Sequence, residues 1–411
     1  MSPAGPTLLL TNLTQVVTCE RADESCVHGG TAVLVRDGRI AAIDQEGRLA
    51  AAHPDAQRSD CAGGVLTPGF VDSHTHAVFG RYRSEEYALR SSGVPYMEIA
   101  RRGGGINASV RDVRARSQDD LVACTRPRLQ TMLRLGTTTA EVKSGYGLST
   151  PDEVKQLRAV RTLAAELPLR VEPTLLAAHE FPPEFRDDHA GYVDLICNET
   201  IPAVAADNLA RFCDVFMEPG VFDADQTRRI LEAGRAHGLI PKLHADELEH
   251  SGAAALAAEL DAASADHLGA IDEAGVAALA ASSTVATLLP GTLFFLGRRT
   301  YAPARALRDA GARLALATDF NPGSSPSPNM ALVMTMACSQ MGLAPIEALH
   351  AATAGGAAAL RLEDGRGTLR VGAPADMVLW DAESYVEIPY RYGLPPIAAV
   401  WVGGVRVAER L

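Results

Sequence analysis

Residues 67–76 read TPGFVDSHTH, a short apolar run broken by Pro68-Gly69 and ending in two histidines one residue apart. On an extended chain, side chains at i and i+2 point the same way, so His74 and His76 present two imidazoles on one face of a strand end. Such a pair chelates a borderline metal, Zn²⁺ or Fe, but a catalytic centre needs further ligands and an open coordination position. A His-x-His pair also occurs as two surface or core histidines. The reading therefore turns on whether the rest of the chain supplies the missing donors.

Downstream of this stretch, strand-like runs alternate with helical ones. The runs are GTTTAEVKS, LRVEPTLLAAHE, CDVFMEPG, LIPKLHADE, ASADHLGA, STVATLLPG and RLALATDFNPG, with segments such as TRRILEAGRAHG and PARALRDAGA between them. Together with TPGFVDSHTH they predict eight strands with intervening helices, an α/β fold of the (β/α)8 TIM-like barrel type, whose active site lies at the C-terminal strand ends. Upstream, LLLTNLTQVVT and TAVLVRDGRIAAID are short β-like runs, and Asp37-Gly38 stands where a tight hairpin turn belongs. The chain returns to β pattern in TLRVGAPADMVLWD and IAAVWVGGVRVAERL. The expected organisation is a small β-sandwich domain built from both termini, residues 1–66 and 366–411, with the barrel, 67–365, inserted between them.

Composition narrows the class. The 411 residues are 47% apolar and carry a formal charge of −12, with no run of Lys and Arg, which argues against a nucleic-acid or anionic-membrane surface. The start has no basic region before a long apolar segment, so it does not read as a secretory signal. The least charged stretch, 276–296, is interrupted by Ser282-Ser283 and Pro290-Gly291 and reads as a helix end, a buried strand and a loop rather than a membrane span. Seven dispersed cysteines without a C-x-x-C suggest reduced, mostly buried thiols in a cytoplasmic protein. Cys213, in the apolar run RFCDVFMEP, reads as core and not as a nucleophile.

The remaining chemistry stands at strand ends. LHADE after the fifth strand offers His244 and Glu247, SADHLG after the sixth offers His267, and ATDFNPGSSP after the eighth offers Asp319. His74, His76, His244 and Asp319 make an N₃O donor set for a mononuclear site. Taken singly, His244 reads equally as a satisfied buried histidine, Asp319 as a helix cap or Asx-turn, and His267 as a capping or core residue. Their shared position at strand ends is what joins them. Gly103 to Gly105 lacks the Lys-Ser/Thr of a phosphate loop and reads as a lid hinge.

The β unit around a barrel, His-x-His after strand one, His after strands five and six, and Asp after strand eight resemble the amidohydrolase superfamily of metal-dependent hydrolases. HTHAVFGRYRSEEY, RRGGGI, GTTTAEVKSGYGL, AAHEFPPEF, KLHADE, SADHL, LLPGT and ATDFNPGSSP run in that family's order across the chain. EVKSGYGL and TDFNPGSSP together carry the resemblance to its branch that opens the imidazolone ring in histidine degradation. The resemblance implies metal-dependent hydrolysis of the cyclic amide bond of 4-imidazolone-5-propanoate to N-formimidoyl-L-glutamate. It implies His74, His76, His244 and Asp319 as ligands of one Zn²⁺ or Fe ion per chain. Arg83, Tyr96, Tyr146, His179, Glu247, Asn321, Gly323 and Ser324 fall on its substrate-binding positions. Binuclear members carry a carboxylated lysine after strand four; CDVFMEPGVF offers Glu218 instead, and Lys143 follows strand two, so one metal is expected.

The chemistry implied is attack of hydroxide on the ring carbonyl and departure of the ring nitrogen with a proton, a bound metal lowering the pKa of its water to about 7. Asp319 would accept the water's proton and deliver it, His267 would orient the hydroxide or polarise the carbonyl, and Glu247 would bind a ring N–H or shuttle a proton, the sequence not ranking the last two. The propionate arm demands a cation, and Arg83, seven residues past His76, could grip it bidentately with a hydroxyl from Tyr96 or Tyr146. Arg81 and Arg83 also read as solvated charges, and the tyrosines as packing. Two rival readings are a related deaminase of a cyclic amidine and a metal-free binding protein on the same fold. The expected partner is a small-molecule substrate, with no nucleic acid and no membrane; a homodimer is compatible with the sequence.

Overall fold

The N-terminal apolar runs form β1 (Leu8–Val17), β2 (Val27–His28), β3 (Thr31–Arg36), β4 (Arg39–Gln45) and β5 (Gln57–Pro68) in the computed structural model, which describes residues 7–94, 98 and 104–409. Asp37 and Gly38 both take left-handed backbone, φ 51° and 73°, as a two-residue hairpin between β3 and β4 requires. The strands of the barrel follow: β6 (Phe70–Asp72), β7 (Thr137–Lys143), β8 (Arg170–Ala178), β9 (Phe212–Met217), β10 (Ile240–Ala245), β11 (Ser264–His267), β12 (Val285–Leu288) and β13 (Leu314–Leu316). The chain ends in β14 (Met377–Trp380), β15 (Ile397–Val402) and β16 (Val405–Glu409).

Both termini share one sheet, in the order β16-β15-β14-β5-β1-β3-β4 with β2 beside β1. This sheet curls until its ends meet. Ala375 N donates to the Gly38 carbonyl and Gly404 N to the Ala375 carbonyl, both at 2.9 Å, and Leu10, Val33, Met377 and Trp401 share the core enclosed between the halves. The sandwich expected from the sequence is thus one continuous folded sheet.

The second sheet runs β6 to β13 in chain order and pairs parallel throughout. Gly69 alone separates it from β5, and a Cβ there would collide with the Thr138 side chain. The barrel closes just beyond the strands. Asp319 N donates to the His74 carbonyl at 3.1 Å, His76 N donates to the Phe320 carbonyl at 2.9 Å, and the Asp72 carboxylate accepts from Thr318 N and Oγ1 at 3.0 and 2.6 Å across the seam. The outer helices follow from amphipathic patterning: in Ala224–Ala236 the buried face is Thr227, Ile230, Leu231 and Gly234, and an Asp223–Gln226 capping box fixes the start.

The 276–296 stretch departs from expectation at its end. The loop expected after Leu289 is a short helix, Pro290–Phe295, with proline in its first position, where the missing N–H costs nothing. A helix of six residues is too short to show a period in sequence. Among the described residues no helix is long and apolar enough to cross a membrane. The seven cysteines are unpaired, and Cys213 is buried in β9.

Candidate metal centre and substrate cavity

Asp72, His74 and His76 alternate along the extended chain, so the two imidazoles share a side as the sequence predicts, and they meet His244 at the end of β10, His267 at the end of β11 and Asp319 beyond β13. All five site residues are buried, at 5% exposure or less. Several neighbours hold left-handed backbone without being glycine: Asp246 (φ 48°), His267 (83°), Leu268 (64°) and Asp319 (51°). Such conformations cost roughly 1–3 kcal/mol each and persist only where the surroundings impose them. Here Leu268 N donates to the Ala245 carbonyl at 3.0 Å and Ala270 N to the Asp246 carbonyl at 2.7 Å.

The donor atoms converge. His74 Nε2 and His76 Nε2 are 3.2 Å apart, His76 Nε2 and His244 Nε2 3.4 Å, and Asp319 Oδ1 lies 3.4 Å from His76 Nε2 and 3.6 Å from His74 Nε2. Ligands held at ~2.0–2.1 Å around a tetrahedral ion stand roughly 3.3–3.4 Å from one another, so His74, His76 and Asp319 are spaced for a single cation, with His244 at that distance from His76. Protonation fits as well. Burial holds His74 well below the usual imidazole range and pushes His244 down to about 4, Asp214 opposing part of the latter shift, so both rings are neutral near pH 7. His74 Nδ1 donates to Asp266 at 2.6 Å, which leaves the lone pair on Nε2. Burial alone would raise the Asp319 carboxyl, but His76, His267 and a 2.5 Å hydrogen bond from Thr292 hold it below the usual range. Converging lone pairs and a carboxylate repel one another unless a cation sits among them.

His267 belongs to the same cluster, its donor atom within 4.8 Å of those of His74 and His244. Among the described residues its Nε2 has no hydrogen-bond partner, and it stands 3.6 Å from Glu247 Oε2. Geometry therefore brings it next to the candidate metal donors and to Glu247 together.

Beneath the histidines lies a buried charge network that sequence reasoning missed. Lys143 Nζ is 2.7 Å from both Glu141 Oε1 and Asp214 Oδ2, and Lys242 Nζ is 3.2 Å from Glu141, 3.5 Å from Asp266 and 2.8 Å from the Ser73 carbonyl. These side chains are fully buried. The carboxylates outweigh burial and hold Lys143 above its usual value, so it is charged. Asp266 and Asp214 in turn face Nδ1 of His74 and His244, the latter at 3.0 Å though poorly aligned, and so fix which nitrogens face the centre. The signal in sequence was a charged residue two positions before or after another on an otherwise apolar strand: Glu141 and Lys143, Lys242 and His244.

A cavity of about 440 Å³ opens above the donors. Arg83 lines it, packed so closely on Gly323 that a Cβ there would fall inside the guanidinium. Among the described residues its Nε and Nη1 are buried without a hydrogen-bond partner, Glu86 Oε2 standing 3.6 Å from Nε. Tyr146 is buried with its ring 6.0 Å from that of His76, and burial raises its phenol. His179 stacks on His76 at 5.1 Å and donates from Nδ1 to the Gly145 carbonyl. Asn321 Oδ1 accepts from Gly323 N and Ser324 N, both at 2.8 Å, which closes the 321–324 loop against the cavity. Burial pushes Glu247 up to about 7. Tyr96 lies outside the described residues, as does Gly103 of the expected hinge. Arg90 and Arg298, which no motif singled out, also line the wall, Arg90 lying 5.0 Å over the Phe295 ring.

Known proteins resemble this one over almost its whole length. The profile of the Amidohydrolase family matches residues 65–407. The chain is 47% identical to the imidazolonepropionase of Myxococcus xanthus strain DK1622, over 98% of this chain and 97% of that protein. It is 49% identical to the imidazolonepropionase of Symbiobacterium thermophilum, over 93% and 91%. Among solved structures, an adenosine deaminase from Xanthomonas campestris with bound zinc superposes with a TM-score of 0.74 at 20% identity, covering 97% of this chain and 92% of that one. An atrazine chlorohydrolase from Arthrobacter aurescens complexed with zinc gives 0.72 at 18%, covering 98% and 95%. At these identities the two structures speak for the fold alone.

Proposed function

We propose that this chain, which belongs to the amidohydrolase family and within it to the imidazolonepropionases, opens the ring of 4-imidazolone-5-propanoate by hydrolysis in the cavity between His76, Arg83 and Glu247, yielding N-formimidoyl-L-glutamate in histidine degradation. The observation that supports the site assignment is that one cavity joins His76, His244 and Asp319, with His74 packed directly behind His76, to Arg83, whose Nε and Nη1 are buried and unspent among the described residues. His74, His76, His244 and Asp319 would hold one ion per chain, Zn²⁺ or Fe. Such an ion polarises a carbonyl and lowers the pKa of water to near neutrality.

The chain's own groups do the rest. Arg83 takes the propionate, two N–H groups to two oxygens, with a hydroxyl from Tyr146 or Tyr96. The loop of Asn321, Gly323 and Ser324, with His179 opposite, bounds the ring. Asp319 accepts a proton from the attacking water and returns it to the ring nitrogen as the C–N bond breaks. The carbonyl carbon becomes a carboxylate, and water's second proton leaves as that acid ionises. His267 orients the water or the carbonyl oxygen. Glu247, poised near neutrality, holds a ring N–H or relays a proton. The setting proposed is cytoplasmic, in keeping with seven unpaired cysteines.

Incubating the holoprotein with 4-imidazolone-5-propanoate and following products by NMR tests this. N-formimidoylglutamate should appear without ammonia. Stoichiometric ammonia with the ring intact would make the protein a deaminase instead.

A further inference from the structure

Glu218, just beyond β9, is 7% exposed, and its carboxylate is spent on backbone. Oε1 accepts from Leu248 N at 3.0 Å and Glu249 N at 2.7 Å, and Oε2 accepts from Glu247 N at 3.2 Å. These three amides follow one another in the loop between β10 and the helix Ala253–Glu259. A carboxylate receiving three successive N–H groups is a charge-assisted cradle that fixes backbone direction. The far half of the same loop is held by Asp246, which accepts from Ser251 N, Gly252 N and Ala254 N at 2.7, 3.0 and 2.9 Å. With main chain held from both ends, the Glu247 side chain is left free to meet His267, 3.6 Å away. The loop carrying Tyr146 is built alike: Glu153 accepts from Gly145 N, Gly147 N and Leu148 N at 3.0, 2.8 and 2.8 Å.

We propose that Glu218 is a positioning residue for the hydrolysis, setting the backbone of the loop so that the Glu247 carboxyl reaches the ring nitrogen and His267. The acid after the fourth barrel strand thus serves a catalytic loop and not a second metal. The inference rests on the reading that Glu247 handles a ring N–H or a proton.

The test is a double-mutant cycle on the metal-loaded enzyme with Glu218→Gln and Glu247→Gln. Glu218→Gln should lower kcat about 10- to 100-fold, the scale of a misplacement near 1 Å, with KM changed less than about threefold and metal content unchanged. In the Glu247→Gln background the same change should cost less than about threefold, because the group being positioned is already gone. Equal losses in both backgrounds, or no loss from Glu218→Gln alone, would overturn the proposal. Wild-type turnover in Glu247→Gln alone would instead overturn the reading of Glu247, and the positioning role with it, without reference to Glu218. Should Glu218→Gln fail to fold, amide hydrogen exchange on the wild-type holoenzyme decides. Slow exchange at Glu247, Leu248 and Glu249 supports the cradle, and exchange at open-loop rates refutes it.

Discussion

An imidazole that lends its Nε2 to a metal must keep its proton on Nδ1, and for the candidate ligand His74 Asp266, 2.6 Å from Nδ1, favours that tautomer. Asp266→Asn should therefore weaken metal binding by about 10- to 100-fold, the usual scale for an outer partner of a ligand. Chelator competition measures it, and unchanged affinity would make Asp266 merely a counter-charge for Lys242. For His267 the proposed task is different. His267→Asn should keep the metal and lose at least ~100-fold in kcat, as removal of a positioned acid–base group does. Loss of the metal would make His267 a ligand, and near-normal turnover would make it structural. The role proposed for Arg83 concerns the substrate alone. Its unspent, buried N–H groups mean that Arg83→Met strands the propionate charge, at a cost of roughly 2–5 kcal/mol, so kcat/KM should fall about 30-fold to a few thousandfold with metal content unchanged. An imidazolone lacking the arm should be a poor substrate for both proteins and suffer little further loss. If it suffers equally, Arg83 serves the ring or the fold.

At the scale of elements, the site is a set of strand ends and the short loops that leave them, and the loops are shaped by buried carboxylates. Glu153 shows what this contributes to stability. Its carboxylate takes three backbone N–H groups around Tyr146 and is fully buried, so Glu153→Gln replaces one acceptor oxygen by an amide that faces N–H donors. The change should cost about 1–3 kcal/mol, seen as a lower urea midpoint, and raise KM more than it lowers kcat. An unchanged midpoint would show that water replaces the carboxylate without penalty. The strands and their order were legible in sequence because apolar runs alternate with helical ones. The inward role of Glu141, Lys143, Asp214, Lys242 and Asp266 was not, since both faces of a parallel strand are buried, one by helices and one by the barrel interior, and periodicity alone does not say which face is which. The Glu218 cradle was equally hidden: a Glu whose partners are amides 29 to 31 residues away leaves no local signature. The juxtaposition of His74 and His76 was legible for the opposite reason, because two candidate ligands on one extended stretch carry their geometry in their spacing.

At the scale of the whole molecule, the candidate ligands come from chain segments far apart in sequence, beyond β6, at the end of β10 and beyond β13, and the first and last of these form the seam where the barrel closes. The seam bonds, Asp319 N to the His74 carbonyl and His76 N to the Phe320 carbonyl, belong to the candidate ligand residues themselves or to their neighbours. A bound ion is thus a cross-link between the first and last strands, and its binding energy adds to folding energy by linkage, about 2.7 kcal/mol when free metal stands at 100 times its Kd. The purified protein should carry about one transition-metal ion per chain by elemental analysis. Chelation should abolish turnover and lower the thermal midpoint, and the backbone amides of His76 and Asp319 should lose protection before those of the β1–β5 sheet, which holds none of the ligands. The room beneath the histidines, where His74, Asp214 and Asp266 could otherwise hold a second ion, is taken by the ammonium groups of Lys143 and Lys242, so excess metal should not raise the count to two. Two ions per chain, or full activity after verified removal of the metal, would overturn the mononuclear centre. A midpoint indifferent to chelation would leave the ion to chemistry and remove it from the architecture.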